Sequence, residues 1–388
     1  MGSTLHSGKS LREVVEELDD LYDPRRADDW DAVGTVVGDP DAEVSRILFA
    51  VDPVQAVVDE AVAWGAQLIV THHPLYLKGV TSVAASTPKG KVVHTLIANG
   101  IALHTCHTNA DSPAFGVSES MAVAFGLTDI RPLDPDSENP IDRWVTYVPH
   151  DAADKVIAAM HEAGAGSIGD YDLSGFTSTG TGFFRPLDGA NPTIGQVGAF
   201  RNVAETRIEM IAFRDLRSGI LGAVRAVHPY EMPVVDIFEL ASIAVDRGSG
   251  RIGRLAQPVC LADFAQRVAA ALPAHHSATR VAGDPSRMIH TVALCGGSGD
   301  FLLAKAAQVG ADVYVTSDLR HHPVIEHLEV AAAPAVIDVP HWAAEWTWLP
   351  VAARELGARL GDTVAIKVSH TVTDPWTFLA TTQQRSER

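Results

Sequence analysis

Short apolar runs recur along this chain, and several of them end abruptly in histidine or aspartate. Arg46-Ile47-Leu48-Phe49-Ala50-Val51-Asp52 reads as a buried strand. Pro53 to Trp64 then reads as a helix, with Gly65 where a helix usually closes. Leu68-Ile69-Val70-Thr71 is the next strand, and it runs into His72-His73-Pro74. Strand, helix, strand in this order predicts a parallel pair. Lys91 to Asn99 is predicted helical, ended by Gly100, and Ile101-Ala102-Leu103-His104-Thr105 is a third strand. It leads into Cys106-His107-Thr108-Asn109-Ala110-Asp111. Earlier in the chain, Leu11, Val14, Val15, Leu18 and Leu21 have helical spacing. Residues 1–10 are expected to be a disordered leader.

The texture changes near Leu133. Asp134-Pro135-Asp136-Ser137-Glu138-Asn139-Pro140 has the composition of a linker. Trp144 to about Leu240 is β-rich, with helical stretches near residues 152–163 and 216–227. Strand, helix, strands, helix, strand predicts a ferredoxin-like α+β module, with Gly180-Thr181-Gly182 suited to a hairpin. His228-Pro229-Tyr230-Glu231 is explained as a helix-to-strand turn. Asp246 to Gln257 is expected to link back.

After this segment the first pattern returns. Ile289 to Cys295 is a strand, Phe301 to Val309 a helix, and Gly310-Ala311-Asp312-Val313-Tyr314-Val315-Thr316 repeats the form of Gly65-Ala66-Gln67-Leu68-Ile69-Val70-Thr71. A second His-His-Pro, His321-His322-Pro323, follows four residues late. The two flanks are therefore expected to form one pseudo-symmetric α/β domain of two halves, 11–133 and 246–388, with 134–245 as an inserted ferredoxin-like domain. Strand ends from both halves could then meet in one crevice. Val336-Ile337-Asp338 is a last strand, and Pro340 opens a helix on which His341 and Glu345 share a face.

Composition narrows the class. The 388 residues are 46% hydrophobic and 20% charged, an ordinary globular balance. A net charge of −18, from 48 acids against 30 bases, argues against a general nucleic-acid binder. No apolar run is long enough to span a bilayer, and no secretory signal opens the chain. Three widely spaced cysteines cannot build a disulfide framework, so a cytoplasmic location is expected.

The candidate chemistry sits at the strand ends. Adjacent residues there point to different sides, so His72 and His73 suit two metal ions better than one. Asp111 and His107 are further ligand candidates, and His341 with Glu345 is a compact two-ligand unit. His104 lies within its strand and reads as a packed histidine, Cys106 as a small buried residue. His275-His276 reads as a solvated loop pair. Gly2 through Gly8-Lys9-Ser10 has the wrong spacing for a phosphate-binding loop. Gly296-Gly297-Ser298-Gly299 is either a phosphate cradle or a plain tight turn.

These residues resemble the GTP cyclohydrolase I type 2 homologue family, also described as NGG-one-interacting-factor-three-like dinuclear metal centre proteins. The resemblance rests on Trp30-Asp31-Ala32-Val33-Gly34, Ile69 to Pro74, His107 to Asp111, Thr316-Ser317-Asp318, and Asp338 to His341 with Glu345. Gly180 to Pro186 and His228 to Glu231 resemble the insert of the family's longer members. The resemblance implies that His72 and Asp111 bind one metal, that His73 and His341 bind the other, and that Glu345 bridges them. His107 falls where the family has a further histidine and could move a proton as a catalytic residue. Pro340 and Ser317 replace glycines of the family pattern, and Ala32 an asparagine. The implied cofactors are two divalent ions (zinc, iron, manganese, cobalt or nickel), which mixed His and carboxylate donors suit equally. The implied activity is metal-dependent hydrolysis of a small phosphorylated or nucleotide-like substrate by an activated water, and the family name implies ring opening of GTP. The implied assembly is a homohexamer. The competing expectation is a non-catalytic regulatory or assembly protein that binds metal.

Overall fold

The computed structural model describes residues 8–136, 140–168, 171–241 and 247–380. It is a mixed α/β structure in two compact units, Met1–Asp136 with Asp246–Arg388, and Ser137–Val245.

In the first unit, helix Leu11–Leu21 buries Leu11, Val14 and Leu18 on one face. Its start is fixed by a reciprocal pair: Glu13 N donates to the Ser10 hydroxyl, and Ser10 N donates to the Glu13 carboxylate. Lys9 and Ser10 pair with Val44 and Glu43, so the expected leader gives way to structure before residue 10. Residues 1–7 lie outside the described residues.

A five-stranded sheet runs in the order Ala365–Val368, Arg46–Ala50, Leu68–Thr71, Ala102–Thr105, Gly34–Val37. Its first four strands are parallel and the last is antiparallel. Helices Gln55–Trp64 and Pro88–Ala98 supply the crossovers. Gly65 closes the first of them at φ 73°, a left-handed conformation that glycine adopts at little cost. A six-stranded mixed sheet runs in the order Arg280–Ala282, Ala335–Asp338, Val313–Ser317, Met288–Ser298, Gly248–Cys260, Leu127–Pro135. Its second, third and fourth strands are parallel.

One apolar cluster takes Phe49 and Val70 from the first sheet and Val292, Val315 and Ile337 from the second. Each fully buried side chain of this size contributes about 1.5–3 kcal/mol relative to exposure. Burial on both faces explains why these strands read as continuous apolar runs. It also leaves the carboxyl ends of the parallel strands as the place where polar residues emerge.

Two expectations about connections are corrected. Leu133, Asp134 and Pro135 finish the Leu127–Pro135 strand, paired with Gly248–Cys260, rather than starting a linker. Residues 137–139 of that stretch are outside the described residues. The expected return link, 246–257, is mostly strand: Gly248–Cys260 pairs on both sides. Its glycines and arginines hid it, because Gly250 takes φ 64° and Gly253 packs against the backbone of Thr128. No helix among the described residues is long and apolar enough to cross a membrane.

The second unit is an antiparallel sheet in the order Val235–Glu239, Ile141–Pro149, Arg201–Phe213, Gly175–Phe184. Helices Ala153–Glu162 and Arg217–Val227 cover one face, where Trp144, Val148, Ile208 and Met210 meet Val156, Met160, Ile220 and Val224. Strand alternation puts Tyr147, Glu205, Arg207, Gly180 and Gly182 on the other face.

Candidate metal centre

All six residues singled out from the sequence come together where strands of both sheets of the first unit end. His72 and His73 follow Leu68–Thr71, and the ladder carries past the strand: His72 N donates to Ala50 O and His73 N to Val51 O. Thr71 Oγ1 donates to His73 O at 2.9 Å, fixing the turn between them. His107 precedes the short helix Thr108–Asp111, which carries Asp111. His341 and Glu345 lie on helix His341–Trp346, entered through Pro340.

Ligand atoms of His72, His73 and His107 lie within 4.8 Å of one another, and so do those of His73, His341 and Glu345. His341 Nε2 stands 2.7 Å from Glu345 Oε1, His72 Nε2 3.4 Å from the same oxygen, and His73 Nε2 3.0 Å from Glu345 Oε2. Asp111 Oδ1 is 3.7 Å from His72 Nε2. His72 and Glu345 are buried, whereas the side chains of Asp111 and His341 keep 33% and 31% of their exposure.

The other nitrogen of every imidazole is held by an oxygen. His72 Nδ1 pairs with Cys106 O at 3.0 Å, and His73 Nδ1 with Asp52 Oδ1 at 2.7 Å. His107 Nδ1 pairs with Asp31 Oδ1 at 2.7 Å, and His341 Nδ1 with Asp318 Oδ2 at 2.7 Å. An acceptor on Nδ1 places the proton there and turns the Nε2 lone pair toward the centre, as metal-binding histidines require. Glu345 Oε2 is buried and has no hydrogen-bond partner among the described residues, although His73 Nε2 is close. Ring nitrogens that crowd a carboxylate without lining up on it are arranged around a shared point, which fits cation binding.

Without a cation the charges balance through protons. Burial pulls His73 down, but the Glu345 charge and the Asp52 bond outweigh it and hold its pKa up to about 10. The same contest, with Glu345 and Asp318 opposing burial, puts His341 at about 11. Burial would raise Glu345, yet the surrounding imidazoles hold it well below the usual carboxylate range. Asp111 keeps one edge in solvent, but desolvation by the groups packed around its carboxyl, helped by the Glu345 charge, pushes it well above that range. Burial also lowers His72.

Asp52, Asp318 and Asp31 were not recognised from sequence as partners of the histidines. Asp52 and Asp318 each follow a buried strand, the signal that singled out His72 and His73. Asp318 sits at φ 58°, a strained conformation that aims it at His341. Arg251 was also missed. Fully buried, it donates to Ser112 O and Pro113 O at 2.8 Å each, and so holds the chain that follows Asp111. His104 is a packed strand histidine beside Thr35, and Cys106 is buried. Gly296–Ser298 belong to a strand, and Gly297 backs onto Glu345 and His341 instead of opening a long helix. His321 and His322 are exposed on the first turn of helix His321–Leu328 and take no part.

The model of the Duf34/NIF3 (NGG1p interacting factor 3) family matches residues 9–375. A Mycobacterium tuberculosis protein called GTP cyclohydrolase 1 type 2 homolog is 48% identical over 367 residues, 94% of this chain and 96% of that protein. A Bacillus subtilis protein of the same name is 32% identical over 371 residues, 95% of this chain and 98% of that protein. The crystal structure of a Bacillus cereus protein related to NIF3 aligns with TM-score 0.65 at 31% identity, covering 97% of this chain and all of that one. A Staphylococcus aureus protein aligns with TM-score 0.71 at 27% identity, covering 96% and 99%. Matched from its first strand to beyond its last, this chain belongs to the Duf34/NIF3 family.

Proposed function

We propose that the chain binds two divalent cations and is a metal-dependent hydrolase of small phosphorylated or nucleotide-like substrates. In this reading His72 and Asp111 would hold one ion and His73 and His341 the other, with Glu345 as a donor shared between them. The observation that carries it is the set of imidazoles whose Nδ1 atoms are all tied back while Glu345 Oε2 stays buried and, among the described residues, without a hydrogen bond. When bound, such an ion pair supplies Lewis acidity and an acidified water near neutral pH. Five protein donors for two ions leave positions open, and the exposure of Asp111 and His341 gives them access from solvent.

The remaining work falls to the chain's own groups. His107 keeps Nε2 free while Asp31 fixes Nδ1, so it can take or give a proton beside a bound substrate. Asp31 stays anionic: burial opposes this, but bonds from His107 and Thr108 hold its carboxyl far below the usual range. Trp30, edge-on to His107 at 5.9 Å, lines a cavity of about 310 Å³ over the site. A flat ring or a phosphate could lie there.

The wider reading has its own supports. Pseudo-symmetry of the two halves is supported by Gly65 and Gly310, which close equivalent helices at φ 73° and 72° before equivalent parallel strands. A ferredoxin-like insert between two flanks is supported by the strand order of the second unit, with its start moved from 134 to 137 because Asp134 and Pro135 finish a strand of the first unit. A homohexamer and a cytoplasmic location follow from family likeness and cysteine usage alone.

The test is elemental analysis of natively purified protein, then turnover on phosphoester, nucleotide and amide panels, including GTP. Two ions per chain, with turnover lost in Asp111→Ala and Glu345→Ala, is the expected result. Metal without turnover, and an assembly that dissociates on chelation, would favour a regulatory metal-binding protein instead.

A further inference from the structure

A cavity of about 620 Å³ lies on the helix-free face of the second unit, between the strand carrying Gly180 and Gly182 and the turn at Tyr230. Those two glycines line it without presenting side chains. A β-carbon on Gly182 would collide with the Glu205 carboxylate, so glycine there makes room for the acid. Glu205 is only 7% exposed. Its bond partner is the Tyr230 hydroxyl, which donates to Oε1 at 2.6 Å, and among the described residues no Lys, Arg or His forms an ion pair with it. Arg185 and Arg207 line the same cavity, but Arg207 pairs with Glu209, and among the described residues neither arginine pairs with Glu205, so beyond the Tyr230 bond this buried carboxylate keeps acceptor positions for a ligand.

The wall is held in place beforehand. His228 Nε2 pairs with Tyr147 O at 3.1 Å, and Tyr230 N donates to His228 Nδ1 at 3.1 Å. Thr193 Oγ1 donates to Pro229 O at 2.6 Å, tying the neighbouring loop to the same turn. Tyr230 and Phe184 stand 5.8 Å apart with their rings tilted, an aromatic edge for a flat ligand. The His228-Pro229-Tyr230-Glu231 stretch is thus more than a connection.

We propose that this cavity is a second binding site, for a flat nitrogen heterocycle of nucleobase size whose edge donates N–H bonds to Glu205. An ionised carboxylate only accepts. A guanine edge, with N1–H beside an amino group, matches it. An adenine edge sets a ring lone pair against it. The site lies wholly within the second unit and does not depend on the reading of the metal centre.

The test is calorimetric titration of the full chain with guanosine and with adenosine, repeated on Glu205→Gln and Gly180→Val. Thermal melting checks that each variant is folded. Guanosine is expected to saturate one site, with adenosine and the Glu205→Gln variant each weaker by about tenfold or more. Gly180→Val is expected to remove binding while the protein still folds, because a β-carbon at Gly180 meets nothing within 4 Å among the described residues. Absence of saturable guanosine binding, equal affinity for adenosine, or affinity unchanged in Glu205→Gln would overturn the proposal. If Glu205→Gln does not fold, undiminished binding to Gly180→Val would overturn it; binding at the metal centre would give that result.

Discussion

His73 Nε2 stands 3.0 Å from Glu345 Oε2, yet the two share no hydrogen bond. Their closeness without alignment is best explained by a third atom that both address. Replacing Glu345 with glutamine keeps the shape and removes the charge. Outer-shell changes at metal sites typically cost about 10–100-fold in affinity, and a direct donor should cost at least as much. Glu345→Gln should therefore lose about a hundredfold or more in zinc or manganese affinity, read by chelator competition. Near-native affinity would remove Glu345 from the ligand set.

Asp318 tests the tie on the far side of a histidine. It accepts from His341 Nδ1, and that bond holds its own pKa below the usual range against the effect of burial. Asp318→Asn keeps an acceptor but removes its charge, so it holds His341 less firmly and makes its Nε2 a weaker donor. Metal affinity should fall about 10–100-fold with little change in melting temperature. A fall in stability with unchanged affinity would make the contact merely structural.

The pH dependence follows from the proton balance. His73 at about 10 and His341 at about 11 both carry protons at neutral pH in the metal-free protein. A cation must displace both, so affinity should rise with pH across the neutral range, by up to about two decades per unit. For stability the sign runs the other way. Folded pKa values raised above the ordinary 6.5 contribute stability that is complete below 6.5 and is lost as pH rises through about 10 and 11. The metal-free protein should thus melt at lower temperature as pH climbs from 7 to 10. Chelator competition and melting curves across that range check both trends; metal affinity that is flat with pH would contradict the first.

Gly297 is pressed between backbone geometry and the site. It sits at φ 67°, and a β-carbon there would lie 2.9 Å from Glu345 Oε1. Gly297→Ala adds left-handed strain of about 1–2 kcal/mol and pushes on the carboxylate. Both a lower melting temperature and weaker metal binding are expected. Gly180→Ala, in open space, is the control that should change neither.

The parts of this fold that depend on burial were the legible ones. Leu68–Thr71 and Ala335–Asp338 are apolar because both faces are covered, so their ends, and the residues there, could be read directly. His341 and Glu345 were legible because helical spacing of four is local. Asp52 and Asp318 were not assigned a role, because each meets its histidine across a long stretch of chain and an isolated aspartate after a strand looks like a turn residue. The Gly248–Cys260 strand was missed because its packing relies on glycines and a buried arginine rather than on alternation.

That arginine is the last test. Arg251 is fully buried, and its guanidinium donates to Gly248 O and Gly250 O at 2.9 Å and to Ser112 O and Pro113 O at 2.8 Å, with Glu119 at 3.3 Å. Burial lowers its pKa, opposed by the Glu119 charge, so the fork is held by geometry as much as by charge. Lysine has a single ammonium and cannot span four carbonyls. Each carbonyl left without a donor costs about 1–3 kcal/mol, and the three donors of an ammonium leave at least one of the four unmet, so Arg251→Lys should destabilise the first unit by about 1–3 kcal/mol or more. Because Ser112 and Pro113 directly follow Asp111, the variant should also weaken metal binding, and Asp111→Ala added to it should cost less than in the native background. Additive effects of the two changes on metal affinity would show that Arg251 supports the fold without positioning Asp111.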